Sequence, residues 1–264
     1  MGWVQEAYEK SHRTYGYRRI GLWLGKQKGI HMNHKAVLRL MNKLNIRSVA
    51  RKRKIFRSMA KSEIYHHYAN VLDRKFSARE PNQKWVTHVT YIATRHRSCR
   101  EAWRHVICLA NHARRQGWAY LSTIKDLFDG FIVAHQVGRH NSLGLVLTAS
   151  PLGNTLKQAK QKEQVTHELL LHSDHGHQYI SHDYALLAHN YAITPSMSRR
   201  GNCWDNAPME NFFSHLKEEA LRPYPIPSFE EAKQIIDHYI HFYNYERIQL
   251  KTRQTPYETR CLSS

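Results

Sequence analysis

The sequence is short of acidic residues. Against 40 lysines and arginines it has only 21 aspartates and glutamates, which gives a formal net charge of +19. A field of this sign attracts polyanions, so nucleic acid is the expected partner. A merely basic soluble protein is the alternative, because net charge alone is a weak argument about function.

Cysteine and long apolar runs are also scarce. The four cysteines (Cys99, Cys108, Cys203 and Cys261) form no Cys-x-x-Cys pair and no disulfide-like framework, which fits a reducing compartment. No apolar run approaches the length of a membrane span, and no signal peptide opens the chain. We therefore expect a soluble, cytoplasmic protein without a membrane partner, with room in 264 residues for one large domain and a small one.

A first carboxylate follows a short apolar run. Leu169–Leu171 is flanked by polar residues and leads to Asp174, with Gly176 close behind. This pattern predicts a buried strand that presents Asp174 at its C-terminal end.

A second carboxylate lies on a predicted helix. Asn206 is a suitable N-cap and Pro208 suits the first turn, so Glu210 comes early on this helix. Lys217, two turns further on, shares a face with Glu210. The adjacent face is an apolar stripe of Met209, Phe213, Leu216 and Ala220.

Residues 1–47 predict a small helical unit. One helix ends near Gly29, and Asn33 caps a second helix that carries Lys35 and Arg39 on its outer face. Two short helices with a basic outer face are typical of a helix-turn-helix-like unit that contacts DNA phosphates. From the pattern alone, an ordinary helical hairpin with solvated lysines is an equal alternative.

Residues 48–79 predict a basic linker. The segment 47–61 contains seven positive charges and no matching acid: Arg47, Arg51, Lys52, Arg53, Lys54, Arg57 and Lys61. Such a run repels itself in the free protein, and against DNA it would neutralise phosphates without reading the sequence. We expect DNA contacts from Arg51, Lys52, Arg53 and Lys54.

Residues 80–264 predict an α/β (α+β) domain, a mixed sheet flanked by helices. Three antiparallel strands come first, at Lys84–Ile92, Ala119–Phe128 and Phe131–Val137, with a tight turn at Asp129-Gly130. Alternating helices and strands follow. They comprise a helix over Asn141–Lys162 that Pro151 should end or kink, strands at Leu169–Ser173 and Ala192–Ser196, a helix from about His182 to Asn190, and a last helix that begins with a Ser228/Glu231 capping box.

Several of these stretches resemble the DDE catalytic core of bacterial insertion-sequence transposases. They are HSDHGHQY, SMSRRGNCWDNAPMENFFSHLK, and the pair Asp174 and Glu210 with 35 residues between them and Lys217 seven residues further on. The resemblance is to the retroviral-integrase-like type encoded by a second reading frame (OrfB). It implies an RNase H-like fold and a function in transposition, by DNA strand cleavage and strand transfer. The runs TYGYRRI and VLRLMNKLNI also resemble that group, which favours DNA contact by residues 1–47.

The resemblance also exposes a departure. Where the family has W-x-T-D-x-T-Y-I, this chain has Trp85–Ile92 with His88 at the position of the first catalytic aspartate. The family implies Mg²⁺ or Mn²⁺ held by Asp174 and Glu210, with Lys217 holding DNA. Imidazole is a poor ligand for Mg²⁺ and brings no negative charge, so we expect weakened metal binding and impaired catalysis.

The expected partners are double-stranded DNA, as transposon ends and target, and further copies of this chain on that DNA. A helix-turn-helix protein from an upstream reading frame is a candidate partner. Three alternatives stay open: a catalytically inactive DNA-binding relic or regulator, an RNase H-like nuclease without joining activity, and a scaffold. The retained Asp174, Glu210 and Lys217 argue against a scaffold.

Residues 95–114 have no counterpart in the family pattern. Their Cys99, His105, Cys108 and His112 suggest zinc, but the spacing is loose and lacks paired ligands at standard gaps. We interpret the segment as an insertion that extends the first hairpin, or as a sign of a defective copy of a mobile element.

Overall fold

A five-stranded mixed sheet forms the centre of the molecule. The computed structural model describes residues 2–48, 67–95, 116–141, 143–146, 155–163, 165 and 168–262. The strands are β1 (Lys84–Arg95), β2 (Gln116–Asp126), β3 (Ile132–Gly138), β4 (Leu169–Ser173) and β5 (Ile193–Met197), in the order β3-β2-β1-β4-β5. β1, β2 and β3 are antiparallel, while β4 and β5 run parallel to β1. The predicted mixed sheet is confirmed.

Helices flank the sheet and precede it. The described α-helices are α1 (Gly2–Lys10), α2 (Tyr17–Lys28), α3 (His34–Lys43), α4 (Leu143–Val146), α5 (Thr155–Glu163), α6 (His182–Asn190), α7 (Ala207–Leu216), α8 (Phe229–Tyr245) and α9 (Pro256–Cys261). A 3₁₀ turn (Cys203–Asn206) precedes α7, and a π-helical turn (Lys217–Leu221) follows it. Within the described ranges, every helix is too short or too polar to span a lipid bilayer.

Local signals account for the helix ends. Gly29 ends α2 with a φ of 65°, in the left-handed region that favours glycine. The Asn33 side chain accepts a hydrogen bond from the Lys35 N–H at the start of α3. In the capping box of α8, the Ser228 side chain accepts a hydrogen bond from the Glu231 N–H, and the Glu231 side chain accepts one from the Ser228 N–H. These predicted ends are confirmed.

Two helix predictions need correction. The helix expected over Asn141–Lys162 is found as the separate helices α4 and α5, and Pro151 lies outside the described residues. The helix that begins at the Ser228 box is not the last one. Helix α9 follows it, with its own capping box between Thr255 and Glu258. We missed α9 because its six residues are too few for a helical period.

The side chains of alternate residues of β1 lie on opposite faces of the sheet. Val86 belongs to a hydrophobic cluster with α7, α8 and the N-terminal helices, whereas Trp85 belongs to a second cluster with β3, α5 and α6. His88 has the same parity as Val86, so its side chain lies on the α7 side. The N-terminal unit and the sheet therefore share one core.

Arg260 ties α9 to the β2–β3 hairpin. The Arg260 guanidinium donates to Asp126 and Asp129, at 2.7 and 2.6 Å, and to Glu163 of α5. Asp126 and Asp129 are almost fully buried. Burial of the Asp126 carboxyl is the largest effect on its pKa, and the charge of Asp129 is the next. Together they raise this pKa from 3.8 to about 6, although the charge of Arg260 lowers it.

This shift predicts a pH-dependent contribution to stability. The pKa of Asp126 is higher in the folded state than in an unfolded chain. The stabilisation that this side chain gives to the folded state is therefore complete below about pH 4 and is lost as the pH rises through about 6. We expect the free energy of unfolding, relative to an Asp126→Asn variant, to fall by up to about 3 kcal/mol between about pH 4 and about pH 7. Urea unfolding of both proteins across that range measures it. A constant difference would contradict the shift.

Candidate active site

Three elements bring His88, Asp174 and Glu210 together. β4 pairs with Lys84–Val86 of β1, so the chain that leaves β4 at Asp174 passes beside His88. Glu210 lies in the first turn of α7, which packs on the same face of β1.

The imidazole of His88 lies between the two carboxylates. Its Nδ1 is 3.0 Å from Asp174 Oδ2, and its Nε2 is 3.8 Å from Glu210 Oε1. The His88–Asp174 contact is close but lacks hydrogen-bond alignment. The exposed fractions of the three side chains are 21% for His88, 34% for Asp174 and 43% for Glu210, so the site is open to a ligand from solvent.

His88 and Asp174 favour each other's charged forms. Burial alone would lower the pKa of His88, but the charges of Asp174 and Glu210 outweigh it and raise that pKa. Burial alone would raise the pKa of Asp174, but His88 and the Gly176 N–H lower it. Protonation of His88 and ionisation of Asp174 therefore favour each other.

This donor set does not fit a pair of Mg²⁺ ions. Mg²⁺ takes oxygen ligands in a near-ideal octahedron at about 2.0–2.1 Å, and bridging two ions calls for a carboxylate. Here an imidazole ring occupies the space that separates Asp174 from Glu210. Within the described ranges, no three His, Cys, Asp or Glu side chains form a group that could hold a metal ion.

Lys217 reaches the same strand from the π-helical turn after α7. Its Nζ donates to Thr90 Oγ1 at 2.7 Å and lies 5.1 Å from the centre of the Tyr91 ring. The positive charge of Lys217 opposes the two carboxylates and partly offsets the rise in the pKa of His88. The predicted Glu210–Lys217 face is therefore directed towards β1.

Sequence comparison identifies the family. The chain matches the HTH-like domain family over residues 1–54 and the integrase core domain family over residues 78–203 and 210–262. It is 36% identical over 258 residues to the putative transposase InsK for insertion sequence element IS150 of Escherichia coli (strain K12), across 97% of this chain and 81% of that relative. The chain belongs to the insertion-sequence transposases.

A second relative and a solved structure agree. The transposase is 32% identical to the insertion element IS600 uncharacterized 31 kDa protein of Shigella sonnei, over 92% of this chain and 80% of that one. It also resembles a chain in the cryo-EM structure of the simian T-cell lymphotropic virus intasome in complex with PP2A regulatory subunit B56 gamma, with a TM-score of 0.51 and 13% identity. That match covers 97% of this chain and 74% of the other and concerns the fold alone. The predicted family and RNase H-like fold are confirmed.

A tie between α7 and β1 in this transposase was missed from the sequence. Asn206, predicted as a side-chain N-cap, makes no capping hydrogen bond. Its Nδ2 instead donates to the Thr87 carbonyl at 3.0 Å, which fixes the start of α7 beside β1. Thr87 in turn pairs with the Tyr179 hydroxyl at 2.9 Å beneath the site. A contact across 119 residues leaves no local sequence signal.

Asp205 fixes the loop before α7. Its buried carboxylate accepts two hydrogen bonds from the Arg199 guanidinium, one from Arg74 Nε and one from Asn70 Nδ2. The Arg199 hydrogen bond, against the effect of burial, holds the pKa of Asp205 far below its usual range. The network joins the loop after β5 and the 3₁₀ turn before α7 to the 70–74 segment.

The predicted DNA-contacting residues fall into two groups. Lys35 and Arg39 are exposed on α3, away from the buried Val37 and Met41. The basic residues Arg51, Lys52, Arg53 and Lys54 lie outside the described residues, as do the cysteines and histidines of residues 96–115. Asp126 and Asp129 bind Arg260 and take no part in the site.

Proposed function

We propose that this transposase binds DNA but catalyses strand cleavage and strand transfer poorly. The position of the His88 imidazole between Asp174 and Glu210 carries the proposal. In-line attack on a phosphodiester by two-metal chemistry uses two divalent ions roughly 4 Å apart, held by oxygen ligands. With the first carboxylate replaced, Asp174 and Glu210 supply too little negative charge for Mg²⁺ or Mn²⁺ to bind tightly.

DNA binding is supported by features that do not depend on His88. The chain has a formal net charge of +19 and matches the HTH-like domain family. In this proposal residues 1–47 contact DNA through Lys35 and Arg39, the 48–79 linker neutralises phosphates, and residues 80–264 place Lys217 near the strand. Transposon ends and target DNA are the proposed ligands, and further copies of the chain and an upstream-frame helix-turn-helix protein are the proposed protein partners.

A joining assay tests the proposal. Labelled duplexes made from the DNA that flanks this reading frame are incubated with the protein, plasmid and Mg²⁺ or Mn²⁺. We expect shifted duplex on native gels but little joined product in Mg²⁺, with a trace in Mn²⁺. Efficient joining in Mg²⁺ would overturn the proposal. Cutting without joining would indicate a nuclease, and binding without either reaction in any metal would indicate a regulator.

The linker predicts the salt dependence of duplex binding. Replacing Arg51, Lys52, Arg53 and Lys54 with alanine should reduce the slope of log affinity against log salt by about three to four, because each phosphate contact contributes about 0.9. Titration of a random-sequence duplex at several salt concentrations measures the slope.

A matched variant controls for net charge. Arg139, Lys233, Lys251 and Arg253 are exposed and lie outside the linker. Their replacement by alanine removes the same charge and should change the slope by less than about one. Equal slopes in both variants would mean that the linker makes no phosphate contacts.

A further inference from the structure

Two exposed aromatic side chains lie together on β1 and β2. Tyr91 of β1 and Trp118 of β2 are 61% and 42% exposed, whereas Trp85 near the start of β1 is fully buried. Their ring centres are 5.3 Å apart and their planes meet at 84°. The two exposed rings thus form a corner that is open to solvent.

Lys217 connects this corner to the turn that follows α7. Tyr91 has the parity of Trp85, so its side chain extends from the face of β1 opposite His88. The pairing of β1 with β4 runs from Lys84 to Val86, so among the described residues β1 is a sheet edge at Tyr91. The Tyr91 ring therefore reaches Lys217, whose Nζ lies 5.1 Å from the ring centre.

The chemistry of the corner selects its ligand. A flat ring that stacks on one aromatic face meets the other aromatic at its edge, and the Lys217 ammonium nearby suits a phosphate. A base-paired duplex presents no base face to a side chain except at its ends. An unpaired nucleobase has both the flat face and the adjoining phosphate.

We infer that Tyr91 and Trp118 form a stacking site for an unpaired nucleobase of DNA that passes Lys217. The inference rests on the proposed DNA binding and adds the form of the DNA, a strand opened next to Lys217. Base stacking on an aromatic side chain tolerates any sequence, so this site favours unpaired structure rather than a particular base.

Three labelled probes test the site with the full chain. They are a blunt duplex, the same duplex with a short unpaired thymidine tail, and the same duplex with an abasic tail of equal length. The protein should bind the thymidine tail about tenfold more tightly than the abasic tail. Trp118→Leu and Tyr91→Leu should each abolish this preference without changing affinity for the blunt duplex, and Trp118→Phe should retain most of it.

Tyr257→Leu is the matched control, because Tyr257 is also exposed but lies on α9. It should keep the full preference for the thymidine tail. Equal binding of the thymidine and abasic tails by unmodified protein would overturn the inference while leaving the proposed function intact. Failure to bind even the blunt duplex would instead refute the proposed function. A change of oligomeric state in Trp118→Leu, seen by light scattering without any change in tail preference, would mean that the pair contacts a second protein chain and would also overturn the inference.

Discussion

Replacing His88 with aspartate should raise Mg²⁺-dependent joining of a labelled DNA end by about 10³-fold or more. The substitution removes the ring between Asp174 and Glu210 and restores a carboxylate at the position where the family has its first aspartate. The expected gain corresponds to roughly 4 kcal/mol of transition-state stabilisation, a fair magnitude for regaining a missing metal contact. Calorimetric titration with Mg²⁺ should show a matching gain in metal affinity.

Two controls distinguish the effect of the new carboxylate from the effect of removing the imidazole ring. His88→Asn has the size of aspartate without its charge and should recover neither metal affinity nor joining. Adding Asp174→Asn or Glu210→Gln to His88→Asp should abolish whatever activity is regained. If His88→Asp gains no affinity for Mg²⁺, the obstacle lies elsewhere, with the 95–114 segment the first to examine by deletion.

Replacing Arg247 with methionine should lower the free energy of unfolding by about 3–5 kcal/mol. Arg247 is fully buried and donates to both carboxylate oxygens of Glu219, at 2.9 and 2.7 Å. Burial alone would raise the pKa of Glu219, but His215 and Arg247 hold it far below the usual range. Without Arg247, a buried carboxylate loses its main partner. Urea unfolding measures the change.

An exposed ion pair is the matched control for this effect. Arg139 donates to Glu230 at 2.7 Å with much of both side chains exposed, so Arg139→Met should cost less than about 1 kcal/mol. Adding Glu219→Gln to Arg247→Met should recover at least half of the loss, because the buried charge is then removed. A small effect of Arg247→Met would mean that water reaches Glu219 in the folded protein.

Features with a local signal could be predicted from the sequence. The strand before Asp174, the helix that bears Glu210 and the Ser228 capping box follow from apolar spacing and cap residues, and the structure contains all three. The catalytic roles of Asp174, Glu210 and His88 stay predictions.

Contacts between distant parts of the chain could not be predicted from the sequence. Asn206 bonds to the Thr87 carbonyl, and Arg260 joins carboxylates more than ninety residues away. No period or cap residue indicates such pairs, because their partners are set by how the elements pack. The mutual effect of His88 and Asp174 on their pKa values was also not predicted, since the family pattern shows only that a carboxylate is absent.

The N-terminal helices are held against the rest of the protein by Tyr15. The Tyr15 hydroxyl donates to the Glu246 carbonyl and accepts from the Ile248 N–H, at 3.0 and 2.7 Å, inside a core shared with α7. Helix α3, through Val37, and the helix that bears Glu210, through Met209, thus belong to one hydrophobic core. In the proposed DNA complex, the number of base pairs between the phosphates at α3 and the strand at the carboxylates would be set by this shared core. Lengthening the 48–79 linker would then leave that spacing unchanged, and the folded core rather than the linker would determine the length of DNA that is spanned.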